Sequence, residues 1–260
     1  MAKILRGKQS RRTVRKLAEH WQRCRLDDLP GLFSAYDKEQ AQTERVVTYR
    51  LDQDSLTQLL ADADKDNDFH FVVHLGLGKD YYSDQVPVSP PFLLLIQVLR
   101  NAADYQRNCY ALGWASDSRF TDPLQTDSGV NAIPAASAYL FVYSWLETPA
   151  HELAGAFESV AHEQDCRVKS YSFSVEESRS IRNDIERSIK TGTPNLLLHL
   201  GKGIAVKGHP FSFRPVLEVE NAVAVDNPGK VKRNATGLLD DDGNSYYDFS
   251  KPNPPYPPQG

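Results

Sequence analysis

The sequence predicts an α+β fold built from two like units. Each unit runs helix, strand, helix, strand, strand, with a largely antiparallel sheet. Three observations predict it. First, four short matches recur in the same order: Leu29-x-Gly31-x-Phe33 with Leu153-x-Gly155-x-Phe157, Arg45-Val46-x-x-Tyr49 with Arg167-Val168-x-x-Tyr171, His74-Leu75-Gly76-x-Gly78 with His199-Leu200-Gly201-x-Gly203, and Pro91-Phe92 with Pro210-Phe211. Their offsets stay between 119 and 125, which points to an internal duplication. Second, helical and strand periodicities alternate inside each unit. Third, the segment joining the last two strands of a unit is too short for a crossover helix, which favours antiparallel pairing.

The elements follow in order. Residues 1–28 form a basic N-terminal helix. Its first 25 residues hold Lys3, Arg6, Lys8, Arg11, Arg12, Arg15, Lys16, Arg23 and Arg25 against one acid, Glu19, while Val14, Leu17, Ala18 and Trp21 fall at helical spacing. The first unit occupies 29–125. A weak helix is expected over Leu29–Gln42, started by Pro30 and Gly31, then a strand over Val46–Leu51. A helix over Ser55–Ala63 carries Leu56, Leu59 and Leu60, with Asp52 or Asp54 as the N-cap acceptor. Strands over Phe69–Leu75 and Phe92–Leu99 complete the unit.

Residues 126–150 connect the units. Cys109–Trp114 and Ala138–Leu146 are strand candidates, the second because Tyr139, Phe141, Val142, Tyr143 and Trp145 favour β structure. Ser116–Ala136 between them is a long loop. The second unit, 151–225, repeats the order: a helix over Ala150–Gln164, a strand over Val168–Phe173, a helix over Glu176–Lys190, and strands over Leu196–Leu200 and Phe211–Val219. Residues 226–260 form a loop and a Pro-rich tail, extended by the five prolines after Lys251. Tyr246, Tyr247 and Phe249 are its anchors.

Composition narrows the function classes. The 260 residues are 40% hydrophobic and 25% charged, an ordinary balance for a chain that buries a core. Cys24, Cys109 and Cys166 are odd in number and widely spaced, which fits reduced thiols in a cytoplasmic protein better than a disulfide framework or a zinc site. The longest apolar runs are too short to span a bilayer. The net charge is −4, but the basic segment carries +8, so the remainder carries −12. A contact with nucleic acid is therefore expected, if anywhere, through residues 1–25 and not through a broad groove.

The candidate ligand-binding residues are His74, Gly76, Gly78, His199, Gly201 and Gly203. A Gly-x-Gly at a strand end turns sharply and its amides can face an anion, and histidine titrates near neutrality. Walker and dinucleotide spacings are absent. No metal ligand set, catalytic residue or cofactor is specified, and neither is an oligomeric state. Asp62-x-Asp64-x-Asp66-x-Asp68 lacks the glycine and glutamate of a calcium loop. His151 and His162 lie about 16 Å apart on a continuous helix, too far for one metal. Asp240–Asp242 reads as a turn. The leading expectation is a non-enzymatic binding or assembly module of the cytoplasm, with its recognition surface between the two halves and a protein or small ligand as partner. A histidine- or metal-assisted hydrolase in that cleft is the alternative, and nucleic-acid binding through the N-terminal helix a second one.

Overall fold

A computed structural model describes residues 4–5, 7–37, 42–63, 68–78, 89–100, 107–115, 135–158, 167–191, 194–204, 211–220, 245–248 and 251–253. Thirteen strands and six α-helices run through them. The chain begins with β1 (Ile4–Leu5), α1 (Gly7–Arg23), α2 (Leu29–Leu32), β2 (Ser34–Asp37), β3 (Gln42–Arg45), β4 (Thr48–Leu51) and α3 (Gln53–Ala63). It continues with β5 (His70–Leu77), β6 (Phe92–Leu99), β7 (Cys109–Ala111), β8 (Gly113–Ala115), α4 (Ala135–Glu147) and α5 (Leu153–Ala156). The last elements are β9 (Ser170–Ser172), α6 (Val175–Thr191), β10 (Asn195–His199), β11 (Val216–Glu220), β12 (Ser245–Asp248) and β13 (Lys251–Asn253). The fold is mixed α+β with antiparallel sheets.

One sheet has the order β1-β7-β6-β5-β9-β13 and the other β12-β11-β10-β4-β8, with β2 and β3 forming a separate ribbon. The N-terminal strand β4 thus lies in the sheet of C-terminal strands, beside β10, and β9 lies beside β5 in the other. Each half of the chain places two strands at one edge of the sheet built by the other half, β4 and β8 in one and β9 and β13 in the other.

The two sheets are held by matching contacts. Trp21 Nε1 donates to the Val168 carbonyl at 2.7 Å, and Trp145 Nε1 to the Val46 carbonyl at 3.0 Å. Arg167 donates to the carbonyls of Trp21 and Cys24 at the end of α1, and Arg45 to those of Trp145 and Thr148 at the end of α4. A guanidinium there satisfies carbonyls that have no helical partner and complements the helix dipole. The Tyr49 hydroxyl donates to the Phe92 carbonyl, and that of Tyr171 to the Phe213 carbonyl. At the centre Phe33 and Phe157 stack at 5.3 Å with 6° between their planes. Trp21 packs edge-on against Phe157 and Trp145 against Phe33, each at 5.0 Å. One buried cluster runs through both sheets.

Several expectations are revised. Ala138–Leu146 is helical, within α4, and not a strand. Ala138, Val142 and Trp145 are its buried residues. They recur at four and three residues, so packing at helical period overrides β propensity. The helices expected over Leu29–Gln42 and Ala150–Gln164 are single turns, α2 and α5, and the first is followed by the β2–β3 ribbon. Cys109–Trp114 divides into β7 and β8, which belong to different sheets. Pro91-Phe92 is not in register with Pro210-Phe211. Gly78 N–H bonds the Pro91 carbonyl and Gly203 N–H the Ser212 carbonyl, so Phe92 corresponds to Phe213. The α3 cap is Asp52, whose carboxylate accepts from the Ser55 N–H. Residues 116–134, the carboxylates of 240–242 and the tail of 254–260 lie outside the described residues.

The arginine braces make a direct prediction. Arg167→Met and Arg45→Met each leave two helix-end carbonyls unpaired. Each is expected to lower unfolding free energy by about 2–3 kcal/mol in denaturant titrations, with similar losses for both.

Candidate functional site

The two His-Leu-Gly turns stand in different sheets, His74 on β5 and His199 on β10. Both imidazoles are buried. His199 lies directly opposite Thr48 on one side and Val216 on the other. Its Nδ1 is 2.9 Å from Thr48 Oγ1 and its Nε2 is 2.7 Å from Glu218 Oε2. The imidazole thus bridges the threonine hydroxyl and the carboxylate, one ring nitrogen to each. His74 is opposite Ser170, and its Nε2 donates to Gln97 Oε1 at 3.1 Å. The amide of Gln97 is oriented by its own donation to the Arg107 carbonyl. The two sites therefore share one plan, with a carboxylate in one and an amide in the other.

Hydroxyl, imidazole and carboxylate in line is the order of an activated nucleophile. Here Thr48 is 1% exposed, and His199 and Glu218 are 0% exposed. Gln97 and Glu218 are absent from the expected site. The sequence marks Gln97, the one polar residue of the strand FLLLIQVL, because a buried polar group needs a partner, whereas Glu218 alternates with Glu220 in VLEVE and reads as one side of a half-exposed strand.

The glycines sit under helices. A Cβ at Gly76 would stand 2.9 Å from the Leu17 side chain of α1, and one at Gly201 would collide with the Arg214 carbonyl and crowd Phe141 of α4. A Cβ at Gly203 would be 2.9 Å from the Arg214 side chain, while Gly78 is less confined. These turns let α1 and α4 approach the sheets. His70, on the same strand as His74, bonds the Phe173 carbonyl. Asp62 is buried and accepts from the Tyr110 hydroxyl at 2.7 Å. Among the described residues, no group of three or more His, Cys, Asp or Glu is placed to hold a metal. None of their helices is long and apolar enough to cross a membrane. Burial pushes the Cys24 thiol up to about 11, against thiolate chemistry.

The outer helices differ from one another. Leu17 and Phe141 contact like glycines, and Trp21 and Trp145 make like bonds, so α1 and α4 correspond residue by residue. On α1 the exposed residues are Arg11, Arg12, Arg15, Lys16 and Arg23, followed by Arg25. Glu19 pairs with Arg15 at 2.8 Å and Asp27 with Arg25 at 3.4 Å. On α4 the exposed residues include Leu140 and Tyr143, and the helix carries no Lys or Arg.

Comparison with family models, curated proteins and solved structures finds no match to this chain. Its own geometry therefore has to carry the functional argument.

Two predictions come from the turns. Burial holds the His74 imidazole down at about 4, opposed by the Gln97 hydrogen bond. The folded state thus favours the neutral ring, and its stability is complete above the unfolded value near 6.5 and is lost as pH falls toward 4. Unfolding free energy is expected to fall by about 2 kcal/mol from this group alone between pH 7 and 5, and His74→Gln should flatten that slope. Gly201→Ala is expected to destabilise by about 1–3 kcal/mol through overpacking, whereas Gly155→Ala, with open space around it, should be neutral.

Proposed function

We propose that this chain is a non-enzymatic binding or assembly module, made by internal duplication of one α+β unit, whose recognition surface lies on its outer helices. The observation that carries this reading is the contrast between matched interior and unmatched exterior. Trp21 and Trp145, Arg45 and Arg167, Tyr49 and Tyr171, and Phe92 and Phe213 make corresponding contacts. Across the same correspondence, α1 presents Lys16 where α4 presents Leu140, and Arg23 where α4 presents Glu147. In a duplicated framework, residues needed for folding recur in both copies. A surface that differs between copies answers to something outside the framework.

The region between the halves supports placing recognition outside. Phe33, Phe157, Trp21 and Trp145 fill it with ring-to-ring contacts. His74, Gly76, Gly78, His199, Gly201 and Gly203 then serve the sheets and their overlying helices. The hydrolase alternative requires a substrate to reach Thr48 Oγ1 and His199, both enclosed in the five-stranded sheet.

The test is native mass spectrometry of the purified full chain, paired with a chromogenic-ester assay. The expected result is the sequence mass without a stoichiometric metal or metabolite, and no turnover above background. Turnover abolished by Thr48→Val in a variant that stays folded would replace this reading with the hydrolase.

A further inference from the structure

We infer that the exposed face of α1 binds the phosphate backbone of a nucleic-acid duplex. The inference rests on the module reading and names its partner. It starts from a cost. Arg11 with Arg15, and Arg12 with Lys16, are like charges one helical turn apart, an arrangement that weakens a helix. The first turn of α1 has no acid to complement the positive end of the dipole. Packing a helix at this position does not require cations, since α4 occupies the corresponding position on the other sheet without a Lys or Arg.

The chemistry of the face selects the partner. α1 spends its apolar side on the protein: Val14 and Trp21 are buried, and Leu17 sits over Gly76 of β5. An interfacial membrane helix needs that side free to enter the bilayer, so a lipid surface is disfavoured. Arginine predominates over lysine on the exposed side, and its planar fork matches phosphate oxygens in pairs. Arg11 to Arg23 spans about 18 Å at the helical rise. Along a duplex that length presents about five phosphates of one strand. No aromatic residue is exposed on this helix, so the stacking platforms that hold single strands are missing. Glu19 neutralises part of Arg15, leaving about four effective contacts. Backbone contacts position without reading bases, so binding should be independent of sequence.

Deleting residues 1–25 is not a usable test, because it removes Trp21 from the core. The test uses the full chain and a variant combining Arg12→Glu, Lys16→Glu and Arg23→Glu. Fluorescence anisotropy would follow a 20-base-pair DNA duplex, the matching RNA duplex, a single-stranded oligonucleotide, phosphatidylserine vesicles and a polyglutamate peptide. The wild-type chain should bind the duplexes with an affinity that falls roughly a hundredfold between about 50 and 200 mM salt, for either of two unrelated sequences. Preference for DNA or RNA decides which duplex is the partner. The triple variant should lose at least tenfold in affinity and most of the salt dependence, with its unfolding midpoint unchanged. Arg12→Lys should keep most of the affinity.

Absence of duplex binding at 50 mM salt, equal binding by the triple variant, or tighter binding to single strands, vesicles or polyglutamate would each overturn the inference. Those results leave the module reading standing with another partner. Ester turnover through Thr48 would remove the module reading instead.

Discussion

The exchange of strands between the two sheets is the constraint on which the rest of the structure depends. β4, with β8 beyond it, continues the sheet of β10 and β11, and β9, with β13 beyond it, continues the sheet of β5 and β6. The segments leading into these strands must therefore pass between the halves, and that crossing fixes the core. Val46 and Val168 present their carbonyls to the indoles of Trp145 and Trp21. Arg45 and Arg167, one residue earlier, reach the ends of the helices that carry those indoles. Helix position, core aromatics and sheet register are thus coupled through two short stretches of backbone. The stacked Phe33 and Phe157 rings sit where the two crossings meet.

Much of this was legible in local sequence. The apolar runs of β5 and β6 and the Ile181, Ile185 spacing of α6 appear at or near their expected boundaries. The Asp52 cap is the one expected from a short acceptor before a leucine-bearing helix. What was not legible depends on distant partners. Propensity alone made Ala138–Leu146 look like a strand, and only the glycine turn beneath Phe141 and the Val46 carbonyl facing Trp145 give its helical spacing a reason. The apolar spacing of the N-terminal helix was legible, and Val14 and Trp21 are buried, but nothing local showed that Trp21 would reach the Val168 carbonyl of the other half. The Pro-Phe match was a coincidence of spelling. Register is set by backbone pairing, and that pairing aligns Phe92 with Phe213.

The buried histidines show how one plan takes different chemistry. A histidine between strands needs an acceptor for its ring N–H, and the amide of Gln97 and the carboxylate of Glu218 both supply one. The carboxylate shares its site with the His199 ring, and that ring in turn reaches Thr48. The amide adds no charge and leaves His74 neutral in an apolar setting. The difference between the sites comes from a single side-chain atom, nitrogen in one and oxygen in the other. Gln97, the one polar residue in the strand FLLLIQVL, was the sequence signal for its site, while Glu218 alternates with Glu220 and gave none.

The crossed strands also impose an order on biosynthesis. Tyr49 of β4 pairs with Leu198, roughly 150 residues later. At a synthesis rate of about 5–20 residues per second, β4 waits on the order of ten seconds for its partner. For most of that interval the emerging N-terminal half lacks the strand that pairs with β5 in its own sheet, since β9 has not yet been made. The nascent chain therefore carries open strand edges on both sides of a developing core, the arrangement most prone to pairing with a neighbouring chain. Non-local pairing of this kind is intrinsically slow. Successful maturation of this protein is thus a matter of timing on the ribosome as much as of final stability.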